Sequence, residues 1–522
     1  MSNIKVLDCT LRDGGYVNGW DFKKKNIKII LLNLVKAGVE YIECGFFKPK
    51  EYEEDKSLFP SVEALKKLIP EGEKTKYTLM INFGEYDIDK IPECKSTNVM
   101  FRIAFKKNQM KSALEYCRQL KAKGYNIFVN PMHTNTYSIS ELLDLVSKVN
   151  EIKPVGFTIV DTTGGMKKRD ILTYFYAIDQ ILDKKIALCF HSHNNLQLSF
   201  SNAQCLMEIC NHRELIIDST VFGIGRGAGN LCTELITQYI NDNYEGCYDI
   251  VPILKIVDEQ INPIFAKTPW GYSVPYYLAA TNHCHPNYAK YLVDKQTVPV
   301  EMINELLKTI PDNKKAGYDV TLIKQIYLDN FSKNIDDSLV VEKLEQKLKD
   351  RIVLILAPGK SLSNERTKIL DFIRAEKPYV ISINFIPKDY SINVAFISNM
   401  KRFSSLDDYD KPMLVTSNIE NIPPKANILN YSSYLNNSKM YDNAALMCLK
   451  LLTNIGIKRV NIAGLDGFSN VQTENYVSSD LINNARENEF DERNEIMSEE
   501  LKEISKNIKL NFITRTMYNF SA

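Results

Sequence analysis

The sequence predicts an α/β protein with an N-terminal (β/α)8 barrel, a helical extension, and a second α/β domain at its C-terminal end. Eight short apolar runs of strand type alternate with helical patterns over roughly the first 223 residues. After a charged helical stretch, a new and fully apolar strand pattern begins at Arg351. The length of 522 residues exceeds one ordinary domain. We therefore expect a barrel at residues 1–260, an extension and linker at 261–345, and an α/β domain at 346–522.

The spacing of apolar residues along the sequence predicts the bounds of each strand and helix of the barrel. Strands are predicted at residues 4–9, 41–45, 77–82, 98–104, 126–130, 156–161, 187–191 and 216–223. Helices are predicted at residues 23–36, 61–68, 109–123, 138–150, 168–182 and 196–209. The weakest helical pattern lies between the third and fourth strands.

Polar side chains gather where these strands end, which is where barrel enzymes place their chemistry. Each stands in or after a predicted strand, in chain order: Arg12, Asp13, Glu43, Arg102, Asn130, Asp161, His191, His193 and Asn230. The last of them ends a glycine-rich loop, Gly-Ile-Gly-Arg-Gly-Ala-Gly-Asn, after the eighth strand. This loop lacks the surrounding βαβ unit of a dinucleotide-binding site. We therefore expect its glycines to let the backbone approach the substrate closely.

His191 and His193 form a His-x-His pair at the end of the seventh strand. Side chains alternate across a strand, so both imidazoles point to the same face. Two imidazoles and one carboxylate make a facial ligand set that leaves metal positions open for substrate. The chain holds only 6 His in 522 residues, which makes a chance pair at a strand end less expected.

The stretch Asp8-Cys9-Thr10-Leu11-Arg12-Asp13-Gly14, together with His-Ser-His-Asn-Asn from His191, resembles the HMG-CoA lyase-like superfamily of metal-dependent aldolases and Claisen-condensing enzymes (DRE-TIM). Within it, 4-hydroxy-2-oxovalerate aldolase is the nearest in pattern, over about the first 300 residues. The resemblance implies a divalent metal, Mn²⁺ or Mg²⁺, on Asp13, His191 and His193. It also implies a 2-oxo acid and an aldehyde as substrates, with Arg12 stabilising the enolate.

The resemblance extends to further positions of this sequence. Substrate contacts are expected from the remaining polar residues of the rim: Glu43, Arg102, Asn130, Asp161 and Asn230. The hydroxyoxovalerate aldolases carry a His three positions after the metal Asp, and Tyr16 stands there in this chain. A phenol with a pKa near ~10 is a poorer base at neutral pH. Either Tyr16, Tyr272 (within a family-like Tyr-Ser pair) or His133 is therefore expected to relay the proton, or the acceptor aldehyde differs from that of the family.

The C-terminal part begins with a strand at residues 351–357, a Pro-Gly-Lys-Ser-Leu turn and a helix. Strand, Gly turn and helix is a geometry that offers backbone N–H groups to a phosphate, although a tight turn without a ligand stays an alternative. This part resembles the Rossmann-like domain of bacterial sialyltransferases and pterin-pyrophosphokinase-like proteins. The resemblance implies nucleotide or nucleotide-sugar binding near Gly359, Ser361, Asn384 and Asp466.

Composition excludes several classes of protein. The net charge of +1 gives no basic field for nucleic acid, and no apolar run is long enough to span a membrane. The 11 Cys are scattered and no signal peptide is recognisable, so we expect a reduced, cytoplasmic protein. We also expect a homo-oligomer.

Three functions fit these observations. The first is a metal-dependent aldolase joined to a nucleotide-binding domain, as in the extension of a nucleotide-linked or surface-polysaccharide sugar. The second is a Claisen-type acyl transferase of the isopropylmalate or homocitrate synthase kind. The third is a nucleotide-dependent transferase in which the barrel is a scaffold. The complete set of Arg12, Asp13, His191 and His193 favours the first.

Overall fold

The structure is a computed structural model, and it describes residues 3–70, 75–94, 98–406, 411–436, 439–471, 474–478, 481 and 490–519. The chain divides into two compact units. One comprises Met1–Asn287 and Asp312–Tyr318, and the other comprises Tyr288–Pro311 and Asp319–Ala522. The domain boundaries expected near residues 260 and 345 stay a prediction.

The first unit contains a closed barrel of eight parallel strands, as the sequence predicts. The strands are β1 (Ile4–Asp8), β2 (Tyr41–Phe47), β4 (Lys76–Asn82), β5 (Val99–Phe105), β6 (Ile127–Pro131), β7 (Gly156–Asp161), β8 (Ala187–Ser192) and β9 (Leu215–Ser219). They are ordered β1-β9-β8-β7-β6-β5-β4-β2, and pairing of β1 with β2 closes the ring. A two-residue strand, β3 (Leu58–Phe59), pairs with β2. The (β/α)8 prediction is confirmed.

Amphipathic helices surround the barrel. They are α3 (Lys24–Lys36), α4 (Val62–Lys66), α5 (Met110–Ala122), α6 (Ile139–Ile152), α7 (Lys168–Ile181), α8 (Ser199–Ile209) and α9 (Thr233–Asn243). Two short helices follow β1, α1 (Thr10–Asp13) and α2 (Gly15–Asn18). Between β4 and β5 the described residues form only a 3₁₀ turn at Ile88–Lys90, in agreement with the weak helical pattern there. Further helices are α10 (Ile250–Ile256), α11 (Asn262–Lys267), α12 (Val274–Thr281) and α15 (Asp312–Lys315).

Two strands differ from the prediction in ways that shape the barrel rim. The eighth strand ends at Ser219, not at 223, because Phe222 adopts a left-handed conformation (φ 54°) and turns the chain. In β2, the register shifts between Glu43 and Phe46. Gly45 lies at this shift with φ 149°, and a Cβ there would stand 1.9 Å from the Ser57 carbonyl oxygen. Only glycine fits this bulge.

The second unit contains a parallel sheet of seven strands, which confirms a second α/β domain. The strands are β10 (Val353–Leu356), β11 (Tyr379–Ile383), β12 (Val394–Ile397), β13 (Met413–Thr416), β14 (Asn427–Leu429), β15 (Arg459–Ala463) and β16 (Lys509–Phe512), in the order β14-β13-β12-β11-β10-β15-β16. Its helices are α14 (Val300–Lys308), α16 (Val320–Phe331), α17 (Ser338–Leu348), α18 (Ser361–Asn364), α19 (Arg366–Glu376), α20 (Met400–Phe403), α21 (Tyr431–Tyr434), α22 (Ala444–Asn454) and α23 (Phe490–Ser505), together with α13 (Pro286–Lys295) from Tyr288 onward. The Rossmann-like relationship stays a prediction.

Across the described residues, every helix is either too short or too polar to serve as a membrane span.

Candidate active site

Three metal-ligating side chains meet at the carboxyl end of the barrel strands. Asp13, His191 and His193 each offer one ligand atom, and these atoms all lie within 4.8 Å of one another. The Asp13 carboxylate comes from the short helix after β1, and both histidines come from the end of β8. The two imidazole rings stand at 87° to each other with centroids 5.5 Å apart. Residues distant in sequence thus form a facial two-His, one-carboxylate set.

A second carboxylate, on Asp218, orients the first histidine. The Nδ1 atom of His191 lies 3.0 Å from Asp218 Oδ2, and its Nε2 atom lies 3.5 Å from Asp13 Oδ2. A histidine that hydrogen-bonds a carboxylate through one ring nitrogen presents the other nitrogen to a metal. Burial disfavours the charged ring, yet the contacts with Asp13 and Asp218 raise the pKa of His191. Burial lowers the pKa of His193 to about 3, so this imidazole is neutral, as a ligand must be.

Asp13 is held as a carboxylate by its neighbours. Burial opposes its charge, but Arg12 and the two histidines hold its pKa well below the ordinary value. Arg12 Nη1 donates to Asp13 Oδ1 at 2.7 Å, and Asn230 Nδ2 donates to Asp13 Oδ2 at 2.7 Å. The amide that ends the glycine-rich loop therefore fixes the carboxylate between Arg12 and the histidines.

A second potential ligand set, Cys9 with His191 and Asp218, also lies within 4.8 Å. Asp218 is already ion-paired with Arg102 and hydrogen-bonded to His191. Cys9 is fully buried, and burial raises the pKa of its thiol well above the ordinary value, so it is not a thiolate. The donor chemistry therefore favours Asp13, His191 and His193 as the metal set.

Beneath this set, a network of charges fills the barrel interior. Arg12 Nε donates to Glu43 Oε2 at 2.6 Å, and Arg102 Nη1 lies 3.3 Å from the same oxygen. Arg102 also pairs with Asp218. Glu43 and Arg102 are both 0% exposed, and their ion pairs hold Arg12 and Asp218 in place. The substrate contacts expected from Glu43 and Arg102 stay a prediction.

This network leads to a stability prediction for Arg102→Leu. The change leaves Glu43 and Asp218 buried with one partner fewer each, and breaking a buried ion pair costs about 3–5 kcal/mol. We expect a loss of that order in the free energy of unfolding of the barrel, measured by urea denaturation followed by circular dichroism. The matched control is Arg118→Leu, an arginine in an exposed pair with Glu151, where about 0–1 kcal/mol is expected. Equal losses in both variants would contradict a buried network.

A second prediction concerns the Asp218→Asn variant. The amide keeps the shape of the side chain but removes the charge that orients His191, and loss of such an outer carboxylate typically weakens metal binding 10–100-fold. A competition titration with a metal-chelating dye measures this affinity. Asp179→Asn, at a carboxylate paired with Arg213 and His212, should leave the affinity unchanged. Wild-type affinity in Asp218→Asn would remove Asp218 from the site.

The remaining rim residues are placed as follows. Asn130 and Asn230 are both 3% exposed, and the Oδ1 atom of each is buried without a hydrogen-bond partner in the described residues. Such orphaned acceptors fit a ligand that completes the site. Asp161 instead accepts from the N–H groups of Gly165 and Met166, both at 3.0 Å, and is 1% exposed. These bonds order the loop after β7, and the substrate contact expected of Asp161 stays a prediction.

The three proton-relay candidates differ in their surroundings. Tyr16 is 42% exposed and packs edge-on against Trp20, with the Arg226 guanidinium 5.5 Å from its ring centroid. His133 is buried after β6, and burial lowers its pKa to about 4. Tyr272 is 59% exposed, and its one interaction in the described chain is an edge contact with Tyr277. The structure therefore brings Tyr16 to the rim and gives Tyr272 no contact with the metal set.

The residues expected to bind a nucleotide lie at strand ends of the second sheet. The N–H of Gly359 donates to the Gly464 carbonyl oxygen at 2.8 Å, and the N–H of Ser361 donates to Asp466 Oδ2 at 2.7 Å. Asn384 (φ 58°) accepts from the N–H groups of Ser398 and Asn399. The two N–H groups foreseen for a phosphate thus already have protein acceptors. Nucleotide binding stays a prediction.

Two residues of the site were not predicted from the sequence. Asp218 is the one charged residue of strand β9 and follows three apolar residues, and this contrast is a usable signal in the sequence. Arg226 is the one charged residue of the glycine-rich loop. Each acquires its role only through partners brought together by closure of the barrel.

Comparison with known proteins gives one family model and several relatives of low identity. The family model described as HMGL-like matches residues 3–244. A 4-hydroxy-2-oxovalerate aldolase from Geobacillus genomosp. 3 is 24% identical over 266 residues, which cover 50% of this chain and 77% of the relative. An oxaloacetate decarboxylase from Mycobacterium tuberculosis is 21% identical over 277 residues, 52% of this chain and 79% of the relative. The solved hydroxymethylglutaryl-CoA lyase of Pseudomonas aeruginosa is 14% identical with a TM-score of 0.41, over 51% of this chain and 95% of its own.

The match covers the barrel strands and every residue of the metal set. Residues 3–244 therefore match the HMGL-like family model, and together with the aldolase-named relatives this match indicates an enzyme of the lyase and aldolase type.

Proposed function

We propose that the barrel catalyses metal-dependent aldol cleavage or formation between a 2-oxo acid such as pyruvate and an aldehyde. The observation that carries this proposal is the convergence of Asp13, His191 and His193, with Arg12 hydrogen-bonded to Asp13. A binding module would not need a fixed cation beside a buried facial ligand set. The names of the aldolase relatives support the same reaction class.

Asp13, His191 and His193 would hold the divalent metal, which we propose to be Mn²⁺ or Mg²⁺. When bound, such an ion supplies a Lewis acid that polarises the substrate carbonyl and acidifies the neighbouring carbon. The protein contribution is a preformed donor set, with His191 oriented by Asp218 and Asp13 held by Asn230.

Arg12 would stabilise the enolate oxygen of the substrate. Its Nε and Nη1 atoms donate to Glu43 and Asp13, and its Nη2 atom makes no hydrogen bond in the described residues. Two carboxylates therefore hold the guanidinium in place, and its Nη2 atom stays available to bind the substrate. A cation fixed before the reaction stabilises developing negative charge without reorganisation. Its charge does not depend on pH in the working range.

Tyr16 would donate the proton to the aldol oxygen in the direction of condensation. Desolvation raises the pKa of its phenol, so the group is protonated at neutral pH. We expect Tyr16→Phe to lower the aldol rate by about 10²-fold, the size of a typical acid–base contribution. The measurement is the steady-state rate with pyruvate and an aldehyde, with Tyr176→Phe, at an exposed tyrosine of α7, as control. An unaffected rate in Tyr16→Phe would leave the relay to His133.

A direct test is the release of pyruvate from a panel of 4-hydroxy-2-oxo acids, coupled to lactate dehydrogenase, with Mn²⁺ or Mg²⁺ added. The proposal predicts release that chelation with EDTA abolishes. Oxaloacetate belongs in the panel, because its decarboxylation passes through the same pyruvate enolate and one relative is named for that reaction. A separate assay mixes acyl-CoA thioesters with 2-oxo acids and measures the release of free CoA thiol. Turnover in that assay alone would favour the Claisen-type function instead.

For the second unit we propose binding of a nucleotide or nucleotide sugar at the ends of β10 and β15, which would place the enzyme in the synthesis of an activated or surface sugar. The support is the reversal of strand order between these strands, where open parallel sheets bind ligands. Calorimetry of the full chain with a panel of nucleotides tests this. Lack of binding by all of them would leave the unit an interaction or structural domain.

A further inference from the structure

Arg226 occupies an unusual position at the mouth of the barrel. It is half-buried in the glycine-rich loop between β9 and α9, and no carboxylate of the described chain lies within ion-pairing distance of it. Its guanidinium carbon lies 5.5 Å from the centroid of the Tyr16 ring, and its Nη1 lies 3.4 Å from Nε2 of His285. A partly desolvated arginine without an anionic partner is uncommon.

The loop ties Arg226 to the metal set. The N–H of Asn194 donates to the Gly229 carbonyl oxygen at 2.8 Å, and the side chain of Asn230 donates to Asp13. A Cβ on Gly229 (φ 80°) would stand 2.2 Å from the Gly223 carbonyl oxygen, so only glycine permits this path. Arg226 is therefore fixed on the same rim as the candidate ligands, on the side of Tyr16.

The contact between Arg226 and His285 lacks an acceptor. The N–H of Asn287 donates to Nδ1 of His285 at 3.2 Å, so Nδ1 is the acceptor nitrogen of that ring. Burial lowers the pKa of His285 to about 3, so the ring is neutral and carries its one proton on Nε2. An arginine nitrogen is always a donor. Two N–H donors thus meet 3.4 Å apart, and an anionic oxygen between them would satisfy both.

His133 adds a third polar group to this side of the rim. It is held in a left-handed conformation (φ 52°), and its N–H donates to Thr162 Oγ1 at 2.8 Å. Arg226 and Lys106 are near enough for their charges to contribute to the lowered pKa values of both His133 and His285. Like Arg226, Lys106 has no ion-pair partner in the part of the chain that is described.

We propose that Arg226 and His285, with His133 beside them, form a second subsite that binds a carboxylate or phosphate group of the aldehyde substrate. This inference rests on the proposed aldolase function and narrows its substrate class. The 2-oxo acid occupies the metal set, and the anionic end of the aldehyde lies at the barrel mouth against Arg226. Neutral aldehydes leave the two converging donors without an acceptor, so they are the poorer substrates.

The test compares matched aldehydes with pyruvate and the metal-loaded enzyme. Succinic semialdehyde and butanal differ by a carboxylate, and glyceraldehyde 3-phosphate and glyceraldehyde differ by a phosphate. We expect kcat/KM to favour at least one anionic member about 10–100-fold, the range for hydrogen bonds to a charged group. Which pair shows the preference identifies the anion. In Arg226→Gln the ratio within that pair should fall close to one, while the matched control Arg118→Gln, on the outer helix α5, keeps the wild-type ratio.

A binding measurement separates failure of this subsite from failure of the aldolase function. Calorimetry of the full chain in EDTA, with inorganic phosphate and separately with acetate, should show binding that weakens about 10-fold or more in Arg226→Gln. Anion binding that depends on Arg226, without any enolisation of pyruvate, would support the subsite and overturn the aldolase function. Equal rates for anionic and neutral aldehydes, or ratios and anion affinities that Arg226→Gln leaves unchanged, would overturn the subsite.

Discussion

Replacing Arg12 by alanine is expected to lower the rate of pyruvate enolisation about 10²–10³-fold while the metal still binds. Hydrogen bonds to Glu43 and Asp13 hold the guanidinium beside the metal set and leave its Nη2 atom without a partner in the described residues. Removal of one preorganised donor from a site of developing negative charge typically has an effect of this size. The rate is read from the loss of the pyruvate methyl signal in D₂O, and the metal content from elemental analysis of the same sample.

The lysine variant makes this prediction sharper. Arg12→Lys keeps the charge but loses the planar fork, so it should restore the rate poorly. The matched control is Arg213→Lys, at another buried arginine that donates to Asp179 and to the Ile186 carbonyl oxygen at the amino end of β8. This control should keep the wild-type rate. A near-normal rate in Arg12→Ala with metal bound would reassign Arg12 to a structural role.

Loss of the metal itself is expected in His191→Ala. This variant removes one of the three protein ligands. It also removes the imidazole ring that contacts Asp13 through one nitrogen and Asp218 through the other. We expect metal content to fall from about one ion per chain to near zero after dialysis, and metal-dependent turnover to fall with it. Circular dichroism establishes that the barrel is retained.

His212→Ala serves as the control for this experiment. His212 is exposed and hydrogen-bonded to Asp179, away from the ligand set, so its loss should leave the metal content intact. If the folded His191→Ala protein keeps a full complement of metal, then His191 is not a ligand and the assignment of the set is wrong.

Much of the barrel and its ligand set could be predicted from the sequence because both depend on local patterns. Parallel strands buried on both faces read as apolar runs, and predicted strand ends agree with the structure within a few residues. His191 and His193 share a face because of strand alternation alone. Asp13 could be predicted as a ligand because it stands in a motif at the end of the first strand.

The roles of Glu43, Arg102 and Asp218 could not be predicted in the same way. A charged residue in a barrel strand can reach the open rim or the closed interior, and the sequence does not distinguish these depths. In the structure, the three side chains neutralise one another below the rim. Their pairing joins residues 43, 102 and 218, so it exists only after closure of the barrel.

Arg226 and His285 illustrate a second limit of sequence reasoning. The sequence shows the glycine-rich loop, but the function of its one arginine depends on a histidine about 60 residues further along the chain. In the second unit, the sequence also shows the turn after β10. The engagement of its N–H groups by Gly464 and Asp466 depends on pairing of β10 with β15, which no local pattern reveals.

The measurement that tests the central claim most directly is metal-dependent exchange of the pyruvate methyl protons for deuterium by the full-length protein. It requires the 2-oxo acid, the metal, the groups Asp13, His191, His193 and Arg12, and a base from the rim or the solvent that takes the methyl proton. It needs no knowledge of the aldehyde. The account predicts exchange with Mn²⁺ or Mg²⁺ that stops when EDTA removes the metal. Protein that carries one metal ion per chain and exchanges neither pyruvate nor 2-oxobutyrate protons would contradict it.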